Sequence, residues 1–145
     1  MVANDLQGDS VGLEGWATWR PADGVRLRAG FLRQDLDLES RPGTVNLSPG
    51  SEGNDPKYWL KARASFDLTP RHELDLLARH YAARPNPQVP SYTALDVRLG
   101  WRAAKDIELA LLAQNLLDRS HPEWGTPLTR AELERALYVS LRLGI

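Results

Sequence analysis

The histidines are the first residues to test for metal or proton chemistry, and the sequence has three of them: His72, His80 and His121. None stands at metal-ligand spacing from another ligating residue, except for the close pair His121 and Glu123. The chain contains no cysteine, which removes both thiolate metal sites and disulfides. Asp96 and Glu108 resemble a general acid and base on neighbouring segments. Arg98 and Arg102 stand beside them, however, and guanidinium groups at that spacing point to a salt-bridge network rather than a proton-transfer pair. No glycine-rich phosphate loop, nucleophile elbow or Ser/His/Asp order occurs. The expectation is a chain with no catalytic residues, no metal and no cofactor, and so not an enzyme.

The arginines are the more informative polar residues. Arg26, Arg28, Arg63, Arg79, Arg98, Arg102 and Arg142 lie scattered among carboxylates, and the formal net charge is -1 with a pI near 6.3. That balance lacks the basic cluster a nucleic-acid surface requires. What they share is position: each falls on the polar parity of a two-residue alternation. An arginine-rich face would suit an anionic ligand, or it would be a polar surface whose charges pair with one another.

The elements that carry them read as strands. Between Tyr92 and Trp124, Leu95, Val97, Leu99 and Trp101 alternate with Asp96, Arg98, Gly100 and Arg102. After the turn Ala103 to Asp106, Ile107, Leu109 and Leu111 alternate with Glu108, Ala110 and Leu112, so the pair predicts a β-hairpin. The same period recurs from Val11 to Arg20, Val25 to Leu32, Leu60 to Leu68, Glu73 to Arg79 and Ala136 to Ile145. Residues 1 to 9 read as a partial strand or linker, and residues 10 to 145 as one domain. The fold class expected is all-β, an antiparallel up-and-down meander of about seven strands. One local rival exists, because Thr129-Arg130-Ala131-Glu132 has capping-box spacing and would start a short helix running to about Leu137.

Connection lengths alternate. Pro21 to Gly24, Thr69 to His72 and Ala103 to Asp106 are short, whereas those near 33 to 56, 82 to 91 and 118 to 134 are long. Short turns at one end and long loops at the other are the habit of transmembrane β-barrels. One parity of all the strands is free of charge, while the other carries the arginines and their carboxylates. A charge-free face repeated through a whole meander is what lipid demands, because an arginine at the bilayer midplane costs roughly 2 to 4 kcal/mol. Trp19, Phe66 and Trp101 lie on the charge-free parity just before the short turns, where an aromatic girdle would meet the membrane interface. The mean hydropathy of -0.42 is compatible with this, since barrel strands average polar and apolar residues. No run is long enough for a transmembrane helix, and Met1 to Asp5 has neither the basic nor the apolar region of an export signal. Two other arrangements fit the alternation: a soluble barrel that turns its apolar face inward around a hydrophobic ligand, and a small complete outer-membrane protein.

Several segments, taken in order, resemble the C-terminal barrel segment of TonB-dependent outer-membrane receptors. They are Gly12-Leu13-Glu14, Asp55-Pro56-Lys57, and Val89-Pro90-Ser91-Tyr92-Thr93 leading into Leu95 to Trp101. They continue with Ala113-Gln114-Asn115-Leu116-Leu117-Asp118, His121-Pro122-Glu123, and a last strand preceded by Glu134-Arg135. The resemblance covers nearly the whole chain. It implies a wall segment of a barrel of about 22 strands in the cell outer membrane. Such a receptor binds a scarce nutrient such as a ferric siderophore or cobalamin, and releases it when TonB pulls on an N-terminal plug domain. Its partners would be the lipid bilayer, the remaining barrel strands, the plug and, through the plug, TonB. The listed arginines, with Asp96 and Glu108, would then face the lumen, and Trp19, Phe66 and Trp101 the lipid. On the resemblance this chain, lacking the plug and the earlier strands, would be a fragment inactive alone.

Overall fold

The computed structural model describes residues 6–41 and 54–144, and over these the chain is all-β. The strands are β1 (Leu6–Ala22), β2 (Val25–Ser40), β3 (Tyr58–Thr69), β4 (His72–Tyr81), β5 (Arg84–Pro85), β6 (Gln88–Val89), β7 (Tyr92–Ala104), β8 (Ile107–Gln114), β9 (Ser120–Pro122), β10 (Glu132–Glu134) and β11 (Ala136–Leu143). A seven-stranded antiparallel sheet runs in the order β1-β2-β3-β4-β7-β8-β11, which is the expected meander. β1 and β11 form its edges and do not pair with each other, so the sheet is open. The small pairs β5/β6 and β9/β10 sit inside the two connections that follow β4 and β8.

Register explains why the alternation survives folding intact. Trp19, Leu27, Ala64, Leu76, Val97, Ala113 and Leu137 lie in line across the sheet, and their side chains share one face. One residue along, Thr18, Arg28, Arg63, Leu77 and Asp96 line up on the other. A slip of one residue in any of the seven strands would carry a charged side chain onto the apolar face, so the pattern itself specifies the pairing.

Each short turn is a tip of two residues, Asp23-Gly24, Pro70-Arg71 or Lys105-Asp106. Just before each tip the incoming strand carries a register shift, between Trp19 and Ala22, Asp67 and Thr69, and Arg102 and Ala104. The extra residue tightens the local twist and lets the chain reverse. At the second tip the Thr69 hydroxyl accepts from the amides of Arg71 and His72, at 3.2 and 3.0 Å, replacing ladder bonds lost in the turn.

β1 begins at Leu6, so residues 6–9 belong to the first strand, as in the partial-strand alternative, while residues 1–5 lie outside the described ones. Two features differ from the sequence expectation. β2 runs on to Ser40 and shortens the connection expected from 33 to 56; residues 42–53 of that connection, and residue 145, are also outside the described ones. Its continuation is carried by pairing rather than by apolar pattern, since Val11 faces Asp35 and Leu13 faces Arg33. The apolar face therefore turns charged at the loop end of β1 and β2. At 17 and 16 residues these strands exceed by about 20 Å the roughly ten residues a tilted crossing needs. Finally, the capping-box helix does not form. Thr129 sits in a turn closed on Thr126, and Glu132–Glu134 pairs with Ser120–Pro122 as β10.

Burial is inverted relative to a soluble sheet. Ser65, Tyr92, Ala94 and Asp96 are buried, and all four belong to the arginine-bearing face. On the apolar face Trp19 is 64% exposed, Leu99 44% and Leu137 67%. Leu95 and Val97 share that face and do not converge on a closed interior, as the soluble-barrel arrangement requires.

Gly24 has φ 74°, and an added Cβ would stand 3.2 Å from the Asp67 Cβ. Gly24→Ala is expected to cost about 1–2 kcal/mol through left-handed backbone strain. A urea titration of the chain in detergent micelles measures this, with Asp23→Ala as the control that shifts far less.

Candidate functional site

The polar face gathers the largest set of charged and hydrogen-bonding side chains among the described residues, and it divides into two zones. Toward the short turns lies a lattice of charges. Arg26 donates to Asp67 through both terminal nitrogens, at 3.0 and 2.9 Å. Arg63 and the Ser65 hydroxyl both donate to Asp75, at 2.9 and 2.6 Å. Arg98 reaches Asp75 at 3.3 Å and Glu73 at 3.6 Å and also donates to Glu108, while Arg102 pairs with Glu73. Arg98 faces Asp75 directly across the ladder, while Arg26 and Arg63 reach carboxylates diagonally on the next strand. Pairs this exposed are worth roughly 0.2–1 kcal/mol each. Their larger effect is to keep a charged face mutually neutralised.

Toward the long connections lies a denser hub. Arg79 of β4 donates to Asp96 of β7 at 2.5 Å and lies 3.6 Å from Glu123, with its side chain 22% exposed. The second Asp96 oxygen accepts the Asn115 amide at 3.0 Å. Asn115 adopts φ 54°, a left-handed conformation that asparagine tolerates better than most residues. This ends β8 and sends the chain across the polar face, where the Asn115 side-chain amide donates to the Leu133 carbonyl and the Leu116 amide to the Leu95 carbonyl. Following it, β9 lays His121 against Tyr92, with ring centroids 4.2 Å apart and 18° between planes. The His121 Nε2 stands 3.3 Å from Glu123. Val89, Tyr92, Ala94, Asn115 and His121 are all buried here, making this the closest thing to a core in the chain.

The residues singled out from the sequence fall as follows. Arg26, Arg28, Arg63, Arg79, Asp96, Arg98, Arg102, Glu108 and Arg142 all share the polar face, with Arg142 directly across from Glu108. Asp96 and Glu108 are not brought together. Arg102 is the register partner of Glu108, which leaves Asp96 six positions up β7, about 20 Å away. The ion partner of Asp96 is Arg79, not Arg98 or Arg102 of its own strand, because same-face residues of one strand stand about 7 Å apart whereas the next strand lies about 5 Å away. Trp19, Phe66 and Trp101 share the opposite face near the short turns; Trp19 is in register with Val97, Phe66 with Leu99, and Trp101 lies two residues further toward the turn. Trp101 also stacks on His72 at 6.3 Å.

Sequence reasoning missed a strip of rings on the polar face, formed by Trp16, Trp59, Tyr81, Tyr92 and His121 with Lys61 and Arg28. The signal was present in parity, since Trp16 falls opposite Leu13 and Ala17. Parity alone does not say that a polar face will stack its aromatics.

Asp96→Ala leaves Arg79 and the Asn115 amide without their shared acceptor. We expect a loss of about 2–3 kcal/mol, less than for a fully buried pair because Arg79 keeps some solvent. Arg26→Met, at an exposed pair, is expected to leave the unfolding midpoint essentially unchanged. Urea titrations of the two variants in micelles compare them directly.

No protein-family model matches the chain, and no solved structure is similar to it. Among curated proteins it is similar to the pesticin receptors of Yersinia enterocolitica and Yersinia pestis, at 27% and 26% identity over 137 aligned residues. The match takes in 86% of this chain and 19% of each receptor, so the chain spans about a fifth of the length of the relatives it matches.

Proposed function

We propose that this chain is barrel wall from a TonB-dependent outer-membrane receptor, with its apolar face in lipid and its arginine-bearing face toward the lumen. The observation that carries the reading is the inverted burial: large apolar side chains of β1, β2, β3, β7, β8 and β11 lie exposed on one face, while the buried polar groups of the sheet lie on the other. Water penalises such a surface and hydrocarbon does not. The similarity to pesticin receptors supports a receptor of this kind. On this reading Trp19, Phe66 and Trp101 form the girdle at the short-turn interface, and the strand extensions of β1 and β2 project beyond the opposite one. The ligand is a scarce nutrient such as a ferric siderophore, TonB acts through a plug domain, and the chain itself performs no catalysis.

The open edges of β1 and β11 fit a wall segment, because lipid leaves unpaired backbone groups unsatisfied and further strands would pair with them.

Ala62 and Ala78 sit in mid-strand on the apolar face. Ala62→Arg and Ala78→Arg are each expected to destabilise the chain in phosphatidylcholine vesicles by about 2–4 kcal/mol. Thr18→Arg, on the lumen side, is expected to cost far less. Equal tolerance of arginine on the two faces, or a stable monomer in buffer without detergent, would contradict the reading.

A further inference from the structure

The ring strip on the polar face is continuous. Gly30 is buried beneath Trp16, and an added Cβ there would come within 2.0 Å of the indole Cε3. The missing Cβ lets the indole lie across β2 and reach Trp59 on β3, with centroids 5.2 Å apart. The Lys61 ammonium lies over the Trp59 ring at 4.6 Å and the Tyr81 ring at 5.5 Å, and Tyr81 stacks on Tyr92 at 5.3 Å. At the other end the Arg28 guanidinium stands 5.8 Å from the Trp16 ring. Four strands thus contribute to one row of rings with two cations set against it.

The two cations differ from those of the charge lattice. Arg26, Arg63, Arg79, Arg98 and Arg102 each meet a carboxylate. Among the described residues no carboxylate pairs with Lys61 or Arg28, whose contacts are ring faces. Cation–π attraction holds them in place without cancelling their charge. An anion reaching Lys61 is held beside Trp59 and Tyr81, and a planar π-system on that anion covers apolar ring surface that a compact anion leaves wet.

We propose that Trp16, Trp59, Lys61 and Tyr81, with Arg28 at the margin, form a binding site for an organic anion carrying an aromatic ring. The inference rests on the receptor reading for its biological use, since the site would then face the lumen on the long-loop side, and on the strip alone for binding.

The test uses the full chain refolded in micelles and follows tryptophan fluorescence against benzoate, cyclohexanecarboxylate and benzamide. Benzoate is expected to give a saturable change at least about fivefold tighter than its non-aromatic and uncharged counterparts. Lys61→Gln and Trp59→Leu are each expected to weaken benzoate about fivefold or more at unchanged strand content by circular dichroism. Gly30→Ala is expected to weaken it by displacing Trp16, and Arg142→Gln, on the same face away from the strip, to leave it unchanged. Equal binding of benzoate and cyclohexanecarboxylate, or full benzoate affinity in Lys61→Gln, would overturn the proposal. If Lys61→Gln fails to refold, Arg28→Gln and Gly30→Ala decide the same question. Benzoate selectivity in a chain that remains soluble and ignores vesicles would remove the receptor reading and keep the site. Vesicle insertion without selectivity would do the reverse.

Discussion

The constraint on which the rest depends is that every strand of the sheet carries two incompatible chemistries one residue apart. The pleat sends successive side chains to opposite faces, so from the short turns to mid-sheet the charges end on one side and the aliphatic rows of Leu, Val and Ala on the other. Register, turn geometry and burial follow from keeping those two sets apart. A shift of a single position in β4 or β7 would place Asp75, Arg79 or Arg98 among Leu76, Val97 and Leu99, and would break the ion pairs of the polar face at the same time. The polar lattice and the apolar surface thus enforce the same pairing from opposite sides.

Within the polar face, the two zones do different work. The lattice near the short turns is exposed, and its pairs contribute modestly to stability. The hub near the long connections is dense because Asn115 reverses the chain onto the sheet, and Asp96 then serves both the Arg79 guanidinium and the Asn115 amide. Running from the hub across β4 and β3 to β1, the rings of Tyr92, Tyr81, Trp59 and Trp16 give a nominally polar surface an apolar floor.

How much of this could be read from the sequence depended on the range of the signal. Strand existence and face came from a two-residue period that every segment repeats, and they match the observed pairing from Trp19 through Leu137. Strand ends were less legible: β2 continues through Arg33 to Ser40 because β1 offers a partner, although its alternation there inverts, with Asp35 and Asp37 on the apolar parity and Leu36 and Leu38 on the other. The capping-box spacing at Thr129 was a sound local signal overridden by pairing with Ser120–Pro122. The sequence pointed to a salt-bridge network around Arg98 and Arg102, but the partner of Asp96, Arg79, lies on the next strand, where only register brings it into reach. The ring strip was invisible for a related reason, since it joins residues from separate strands that only register brings into line.

The central claim, that the two faces meet lipid and lumen respectively, is tested most directly by the tryptophans that the sheet already distributes. Trp19 and Trp101 share the apolar face, whereas Trp16 and Trp59 share the polar one. Single-tryptophan variants refolded into vesicles of brominated phosphatidylcholine would report contact with acyl chains residue by residue. The account predicts strong quenching of Trp19 and Trp101 and weak quenching of Trp16 and Trp59. Equal quenching of all four, or stronger quenching of Trp16 and Trp59, would contradict it.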